Sequence, residues 1–223
     1  MVHASTGSGL PPLEGEGRGG TSSGRPADVR GRILDAADQL LARYGYKKMT
    51  MDDLAEQARV GRRTIYLHFP GKEEVALATV ERRMDRLVAH LEALSAAASL
   101  SPGERLRALL VGRVLFLFDA AQELSQSYDE MMTALRPVYM PRRERYMRAE
   151  GQVLAEVLAE GVRCGEFAAV DDPAEAGLSL VLATNALMPF SLSREQRADR
   201  AAVERRVSRI ADLLLNGLRR RDG

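Results

Sequence analysis

The sequence predicts an all-α fold of about nine helices. Apolar residues recur at helical spacing, every three or four positions, from residue 26 almost to the end of the chain. Glycine, proline and capping residues separate the successive helical stretches, and neither a convincing strand nor an internal repeat is present. With 223 residues, 45% of them hydrophobic and 28% charged, the chain has enough material for a well-packed core.

The first 24 residues differ in composition from the rest of the chain. They are rich in glycine, serine and proline and poor in large apolar side chains. Such a segment cannot bury enough apolar area to offset the entropy lost on ordering. We therefore expect residues 1–24 to form a disordered N-terminal arm.

Four helices are predicted between residues 25 and 95. The first begins near Pro26 and ends at Gly45, a residue typical of the position after a helix. Thr50 and Asp53 form a capping-box pattern that starts a short second helix. A third short helix lies between Val60 and Phe69, and a fourth spans residues 72–95 with one apolar stripe. Residues 25–71 are expected to form one domain, and helix 72–95 to be its only rigid link to a second domain, residues 72–223.

Five further helices are predicted in the second domain. Ser101, Pro102 and Glu104 give a start signal, and the helix that follows is apolar almost all round, as expected of a helix buried inside a domain. Prolines are expected to end two of the later helices. The predicted ranges are 102–124, 128–135, 142–164, 173–188 and 199–218.

The third helix, within the stretch VGRRTIYLHFPGKEEV at 60–75, carries an unusual outward face. At 100° per residue, Arg63 and Leu67 point away from the inward-facing Ile65. A leucine among cations suits a surface that offers both acceptors and methyl groups. The DNA major groove offers both, because guanine N7 and O6 are acceptors and thymine carries a methyl group. Two short helices joined by a tight break are also the pattern of a helix-turn-helix.

The side chains around this face suit phosphate contacts. Thr64, Tyr66 and His68 can donate hydrogen bonds, and Lys72 adds a charge at the start of the fourth helix. Further cations lie at Lys47, Lys48, Arg59 and Arg62. An ordinary solvated helix is the alternative, but two turns are not stable without packing. Arg18 of the arm and Arg25 directly after it could reach a minor groove, although a solvated tail is the favoured interpretation.

Residues 30–77 resemble the N-terminal domain of TetR-family transcriptional regulators. The resemblance rests on R-x-x-I-L-x-A-A-x-x-L, then G-Y-x-x-x-T-M-D-D-L-A, then V-G-R-R-T-I-Y-L-H-F-P-G-K-E-E-V-A-L, about a fifth of the chain. Arg59 and Gly61 depart from the family, which often has glycine and serine there. If the backbone at Arg59 is left-handed, it carries strain.

The resemblance implies a role for each matching residue. Arg62, Arg63 and Leu67 match positions that read bases, and Met51 matches one that sometimes does. Positions that hold the phosphate backbone are matched by Thr50, Thr64, Tyr66, His68 and Lys72, and Lys48 lies beside them.

The resemblance also implies a homodimer and an effector site in the C-terminal domain. The dimer would form through helices 173–188 and 199–218, and one recognition helix alone grips too few base pairs for useful specificity. Arg113 and Asn185 are the polar residues expected at an effector site. The apolar candidates are Phe116, Phe118, Tyr128, Met131, Met132, Tyr139, Met140, Tyr146 and Met188. Plain core is the favoured alternative for these aromatics and methionines.

The sequence lacks the residues that other classes of function require. Cys164 is the single cysteine, expected to be buried, so neither a disulfide nor a cysteine metal cage can form within the chain. No nucleophile elbow, phosphate loop or metal spacing is present, which argues against an enzyme, a metal site or a cofactor. No apolar run reaches a membrane span. The resemblance implies a repressor that an effector releases from a palindromic operator; the candidate lining suggests an apolar or aromatic effector, and we expect the protein in the cytoplasm, associated with the nucleoid. The alternative is a DNA-binding regulator without a small-molecule effector, controlled by a protein partner or acting architecturally.

Overall fold

The computed structural model describes residues 26–124 and 127–220, and within them the chain forms eight α-helices. Their bounds are α1 Pro26–Tyr44, α2 Met51–Ala58, α3 Arg62–His68, α4 Lys72–Ser95, α5 Pro102–Leu124, α6 Tyr128–Arg163, α7 Pro173–Ala183 and α8 Arg200–Leu218. Short 3₁₀ turns lie at Asn185–Leu187, Pro189–Ser191 and Gln196–Ala198. Across these residues the only β-type pairing is a single bridge between Phe167 and Arg219. The all-α class is therefore confirmed.

The residues predicted to begin and end helices occupy those positions in the structure. Gly45 has a left-handed backbone, with φ of 80°, directly after the last residue of α1. The Thr50 hydroxyl accepts a hydrogen bond from the Asp53 amide, and the Asp53 carboxylate accepts one from the Thr50 amide. Ser101 and Glu104 make the same reciprocal pair before α5. These caps satisfy backbone groups that a helix end leaves open.

The helix count is eight rather than about nine because residues 128–163 form one helix. Pro137 and Pro141 were expected to separate two helices, yet both lie inside α6. The two prolines and Thr133 are exposed, so carbonyl groups that lose a helical partner face solvent. Leu135 and Tyr139 on the opposite face are buried against the core, which holds the helix together across the prolines.

Helix α7 ends earlier than predicted, at Ala183 rather than Met188. The Thr184 hydroxyl donates to the carbonyl oxygen of Val181 at 3.1 Å, and Arg113 Nη1 donates to the same oxygen at 3.1 Å. If the helix continued, the Val181 carbonyl would accept a hydrogen bond from a backbone amide of the next turn. Here the two side-chain donors occupy it instead. Residues 185–191 therefore continue as 3₁₀ turns.

The core runs from the first helices into the C-terminal half. Helix α5 lies centrally and contacts α1, α4, α6 and α8. One buried cluster joins residues of α1 to α4 with Leu124, Tyr128 and Met131. The Ser127 hydroxyl donates to the Leu41 carbonyl at 3.3 Å, and Lys47 pairs with Glu130 at 3.0 Å. The expectation that α4 is the only rigid link is therefore wrong, because the start of α6 also contacts the α1–α2 region.

Three remaining expectations concern the chain ends, the cysteine and membranes. The predicted arm, residues 1–24, lies outside the described residues. Cys164 is exposed rather than buried, because it follows the end of α6. None of the described helices has the length and apolarity needed to cross a membrane.

Candidate nucleic-acid interface

Helix α3 owes its position to two buried anchors. Ile65 is fully buried, and Phe69, the residue after the helix, is 3% exposed in the same cluster as Leu54 of α2. A seven-residue helix gains too little from its own hydrogen bonds to be stable alone. Packing of these two side chains therefore fixes which face of α3 points outward.

The turn between α2 and α3 passes through a left-handed residue. Arg59 has φ of 53° and ψ of 48°, and no other non-glycine residue in the described ranges has a positive φ. A side chain in this region costs roughly 1–2 kcal/mol, which glycine avoids. Gly61 then has an extended backbone and precedes the first residue of α3. The strain considered for Arg59 is thus present, and Gly61 acts as the N-cap.

The outward face of α3 exposes an apolar side chain next to an unpaired cation. Leu67 is 77% exposed, the largest exposure among the large hydrophobic residues of the described chain. Arg63 is exposed and has no hydrogen-bond or ion-pair partner among the described residues. Tyr66 is 44% exposed beside them. Such a face meets the two needs of major-groove readout, hydrogen-bond donors and a methyl-contacting apolar group.

Arg62 is held in place by its neighbours before any ligand is present. Its guanidinium lies 3.0 Å from the Asp52 carboxylate and 5.8 Å from the centre of the Tyr66 ring. A hydrogen bond with Tyr66 and the charge of Asp52 raise the pKa of Arg62. The pair is largely exposed, so it adds little to the stability of the fold, and a DNA contact by Arg62 would have to compete with the Asp52 carboxylate.

Lys72 lies at the amino end of α4, where no side chain caps the helix. Its Nζ lies 4.9 Å from the centre of the Tyr46 ring and donates to the carbonyl oxygens of Tyr46, at 3.5 Å, and Lys47, at 3.4 Å. The ammonium is thus held against the segment before α2, and the uncapped amino end of α4 adds a partial positive charge that favours an anion nearby.

The other predicted residues lie around these groups. Lys48 is exposed, whereas Met51, Thr64 and His68 are half-buried. The Thr50 hydroxyl donates to Asp53 at 2.7 Å, so a phosphate would have to compete with that carboxylate. The structure thus places the predicted residues on α2, α3 and the segments flanking them.

Two adjoining cavities lie between α4, α5, the first half of α6 and the turn at 189–191. One has a volume of about 170 Å³ and the other about 50 Å³, and they share Tyr128, Met132, Tyr139 and Phe190 as walls. Met131 lines the smaller cavity, and Met140 lines the larger. Of the predicted effector residues, Tyr128, Met131, Met132, Tyr139 and Met140 are therefore brought together.

The remaining effector candidates do not line these two cavities. Arg113, 1% exposed, forms an ion pair with Glu150 at 2.7 Å and also donates to Thr184 and Asn185, so both predicted polar anchors are committed within the fold. Phe116 stacks on His90 with ring centres 5.2 Å apart. The others are buried core residues: Phe118, Tyr146 and Met188.

Sequence reasoning missed several residues of the cavity wall. Arg136 comes from the segment where the prolines suggested a break, Arg143 comes from the start of the helix predicted at 142–164, and Phe190 comes from a 3₁₀ turn. None of them belongs to an apolar stripe, and only the course of α6 brings them together.

Residues 33–79 match the family model for bacterial regulatory proteins, tetR family. A transcriptional regulator of the TetR/AcrR family from Thermobifida fusca YX-ER1 is 30% identical, with a TM-score of 0.60, over 86% of this chain and 100% of that one. The transcriptional activator FasR of Mycolicibacterium smegmatis is 34% identical over 100 residues, 44% of this chain and 43% of FasR. The match thus spans less than half of FasR.

A second curated relative matches over a longer segment. The fatty acid metabolism regulator protein of Bacillus subtilis is 25% identical over 143 residues, which cover 61% of this chain and 69% of that protein. The family model, the full-length match to the Thermobifida structure and the helix-turn-helix agree with one another. The chain therefore belongs to the TetR family of bacterial transcriptional regulators and is not an enzyme.

Proposed function

We propose that the protein is a sequence-specific DNA-binding repressor that acts as a homodimer on a palindromic operator and is released by a small organic effector. The observation that carries the proposal is the outward face of α3, where Leu67 and the unpaired Arg63 are exposed together. Folding alone does not favour leaving a leucine side chain so exposed to water. Burial of this face in a DNA groove would explain the exposure. Binding to the chromosome would place the protein in the cytoplasm, at the nucleoid.

The proposed roles divide the interface into two sets. Arg62, Arg63, Leu67 and Met51 contact base edges, which differ between base pairs. A second set contacts phosphates, which fixes the register of the protein without reading sequence. That set consists of Lys48, Thr50, Thr64, Tyr66, His68 and Lys72.

The proposed dimer uses α7 and α8, as expected from the sequence, although α7 ends at Ala183. Leu182 is 49% exposed and Leu213 is 66% exposed, so each helix presents a large apolar side chain to solvent. To read two half-sites one turn of DNA apart, the twofold axis beside these helices would have to hold the two α3 helices about 34 Å apart. A palindromic operator would follow from that symmetry.

The test is selection of bound genomic fragments by the purified protein at defined salt, followed by anisotropy titrations on the recovered site. Arg63→Ala should weaken binding and relax preference at one base position, at a cost of about 1–3 kcal/mol. Arg163→Ala serves as the control, because Arg163 is an exposed arginine at the end of α6 and belongs neither to the DNA-facing segments nor to the proposed dimer helices. Failure to recover any preferred sequence with folded protein would refute sequence-specific binding.

The regulatory sign and the effector are separate parts of the proposal. A reporter fused to the recovered operator should rise in expression when the gene for this protein is deleted. A fall would show activation, the activity in the name of the relative FasR. If no small molecule changes operator affinity, the regulator acts without an effector.

A further inference from the structure

The larger cavity contains positive charge without a matching carboxylate. Arg136 and Arg143 both line it, and neither has a carboxylate within 4.0 Å among the described residues. Arg143 lies over the Phe190 ring at 4.7 Å. Asp129, the one acidic residue of the wall, is already neutralised by a two-point ion pair with Arg197 at 2.5 and 2.6 Å. The cavity therefore carries a net excess of two guanidinium groups.

The phenols of the wall add donors. Burial raises the pKa of Tyr139 to about 12 and raises that of Tyr128 further, so both hydroxyl groups stay protonated at neutral pH. Among the residues that the structure describes, the Tyr139 hydroxyl has only the Met84 sulfur as a partner, at 3.9 Å, and sulfur is a weak acceptor. A ligand that brings acceptors would therefore satisfy groups that the protein leaves open.

The remaining wall is apolar and adaptable. Leu117, Met84 and Met131 line the smaller cavity, and Met132 and Phe190 are shared by both cavities. Methionine side chains repack easily around a guest. A cavity of about 150 Å³ accommodates benzene in an engineered protein core. The larger cavity, about 170 Å³, thus has room for one aromatic ring or a short alkyl chain.

We propose that these cavities bind a small organic carboxylate, with its anionic head between Arg136 and Arg143 and its single ring or short chain against the methionines. This inference rests on the proposed effector-responsive function and names the chemical class of the effector. Recognition follows from charge and from the surplus of donors, because an Arg–carboxylate pair is among the stronger polar contacts that proteins make. Neutral apolar compounds of the same shape would fill the space but leave both guanidinium groups unpaired.

The experiment is calorimetric titration of the full-length protein, without DNA, using benzoate and octanoate as probes and benzamide and octanamide as neutral controls. At least one carboxylate should bind about tenfold or more tightly than its amide. Arg136→Gln and Arg143→Gln should each remove most of that preference while amide binding stays unchanged. Arg142→Gln is the matched control, because Arg142 pairs with Glu81 and does not line either cavity.

The outcomes separate this inference from the proposed function. Equal binding of acid and amide, absence of binding by either carboxylate, or an unchanged preference in both arginine variants would overturn the carboxylate site. Operator titrations with and without each probe are run in parallel. Carboxylate binding that leaves operator affinity unchanged would uphold the site and refute release by this ligand class. Release by the amides alone would uphold an effector and refute the carboxylate.

Discussion

Replacing Glu150 with leucine should cost more stability than removal of any surface carboxylate. Arg113 and Glu150 are 1% and 3% exposed, and Arg113 Nε lies 2.7 Å from the carboxylate. Burial lowers the pKa of Arg113, while the charge and hydrogen bond of Glu150 oppose that shift. Glu150→Leu would leave a guanidinium buried without its anion. The expected loss in free energy of unfolding is about 3–5 kcal/mol.

The double variant Arg113→Met/Glu150→Leu should recover most of that loss. It removes both charges, so no uncompensated ion remains in the core. Its residual cost comes from the hydrogen bonds that Arg113 makes to Val181, Thr184 and Asn185. The Val181 carbonyl keeps the Thr184 hydroxyl as a donor, so the double variant should lose only about 1–2 kcal/mol.

Urea unfolding at one fixed protomer concentration measures both quantities, since association would otherwise shift the apparent stability. Glu144→Leu is the control, because Glu144 of α6 pairs with Arg148 in solvent, with side chains 66% and 57% exposed. That variant should change stability by about 1 kcal/mol or less. A cost for Glu150→Leu no greater than that of the control would show that Arg113 tolerates the loss of its buried anion. A double variant that loses as much stability as Glu150→Leu alone would show that the loss does not come from an uncompensated charge.

Three further predictions concern backbone contacts and the DNA face. Gly177→Ala should lower the melting temperature in a thermal scan, because a Cβ there would overlap the Gly151 carbonyl; an unchanged value would contradict this close packing of α6 and α7. Arg59→Gly should raise the free energy of unfolding by about 0.5–1 kcal/mol in urea titrations. The substitution removes the left-handed backbone strain, and the larger conformational entropy that glycine gives the unfolded chain offsets part of this gain. Asp52→Asn should tighten operator binding severalfold in anisotropy titrations without a change in melting temperature, because it removes a negative charge that holds Arg62; weaker binding would mean that Asp52 orients Arg62 for contact.

The sequence was informative wherever a few adjacent residues decide the structure. The capping boxes at Thr50 and Ser101 and the left-handed Gly45 each involve residues within one turn, so their pattern alone predicts them. The helix bounds 72–95 and 102–124 agree with those of α4 and α5 for the same reason. The outward direction of Leu67 also followed from helical periodicity once Ile65 was taken as the anchor.

Tertiary contacts decided the features that the sequence did not reveal. Helix α6 continues past Pro137 because buried residues on its other face hold it, and α7 ends early because Arg113 reaches its last carbonyls from another helix. Periodicity predicts that Arg113 lies in an apolar helix but not that Glu150 neutralises it. The cavity was equally hidden, since Arg136 lies in the predicted break and Arg143 in the next predicted helix, and only the continuous helix α6 brings both to one cavity.

The start of α6 connects the cavity to the DNA-binding helices. Tyr128 and Met131 line the cavity walls, while Ser127 and Glu130, on adjacent positions of the same turn, contact Leu41 and Lys47. The fit there is close, because a Cβ on Gly45 would lie 2.7 Å from that of Ser127. A ligand that displaced Tyr128 would therefore press on the α1–α2 region directly. Helix α4 gives a second route, since Val80 and Met84 line the smaller cavity and its first residue follows α3. A bound ligand could thus shift the recognition helix through either of these two contacts. Breaking the Lys47–Glu130 pair alone should therefore reduce, but not abolish, the change in operator affinity that the ligand causes.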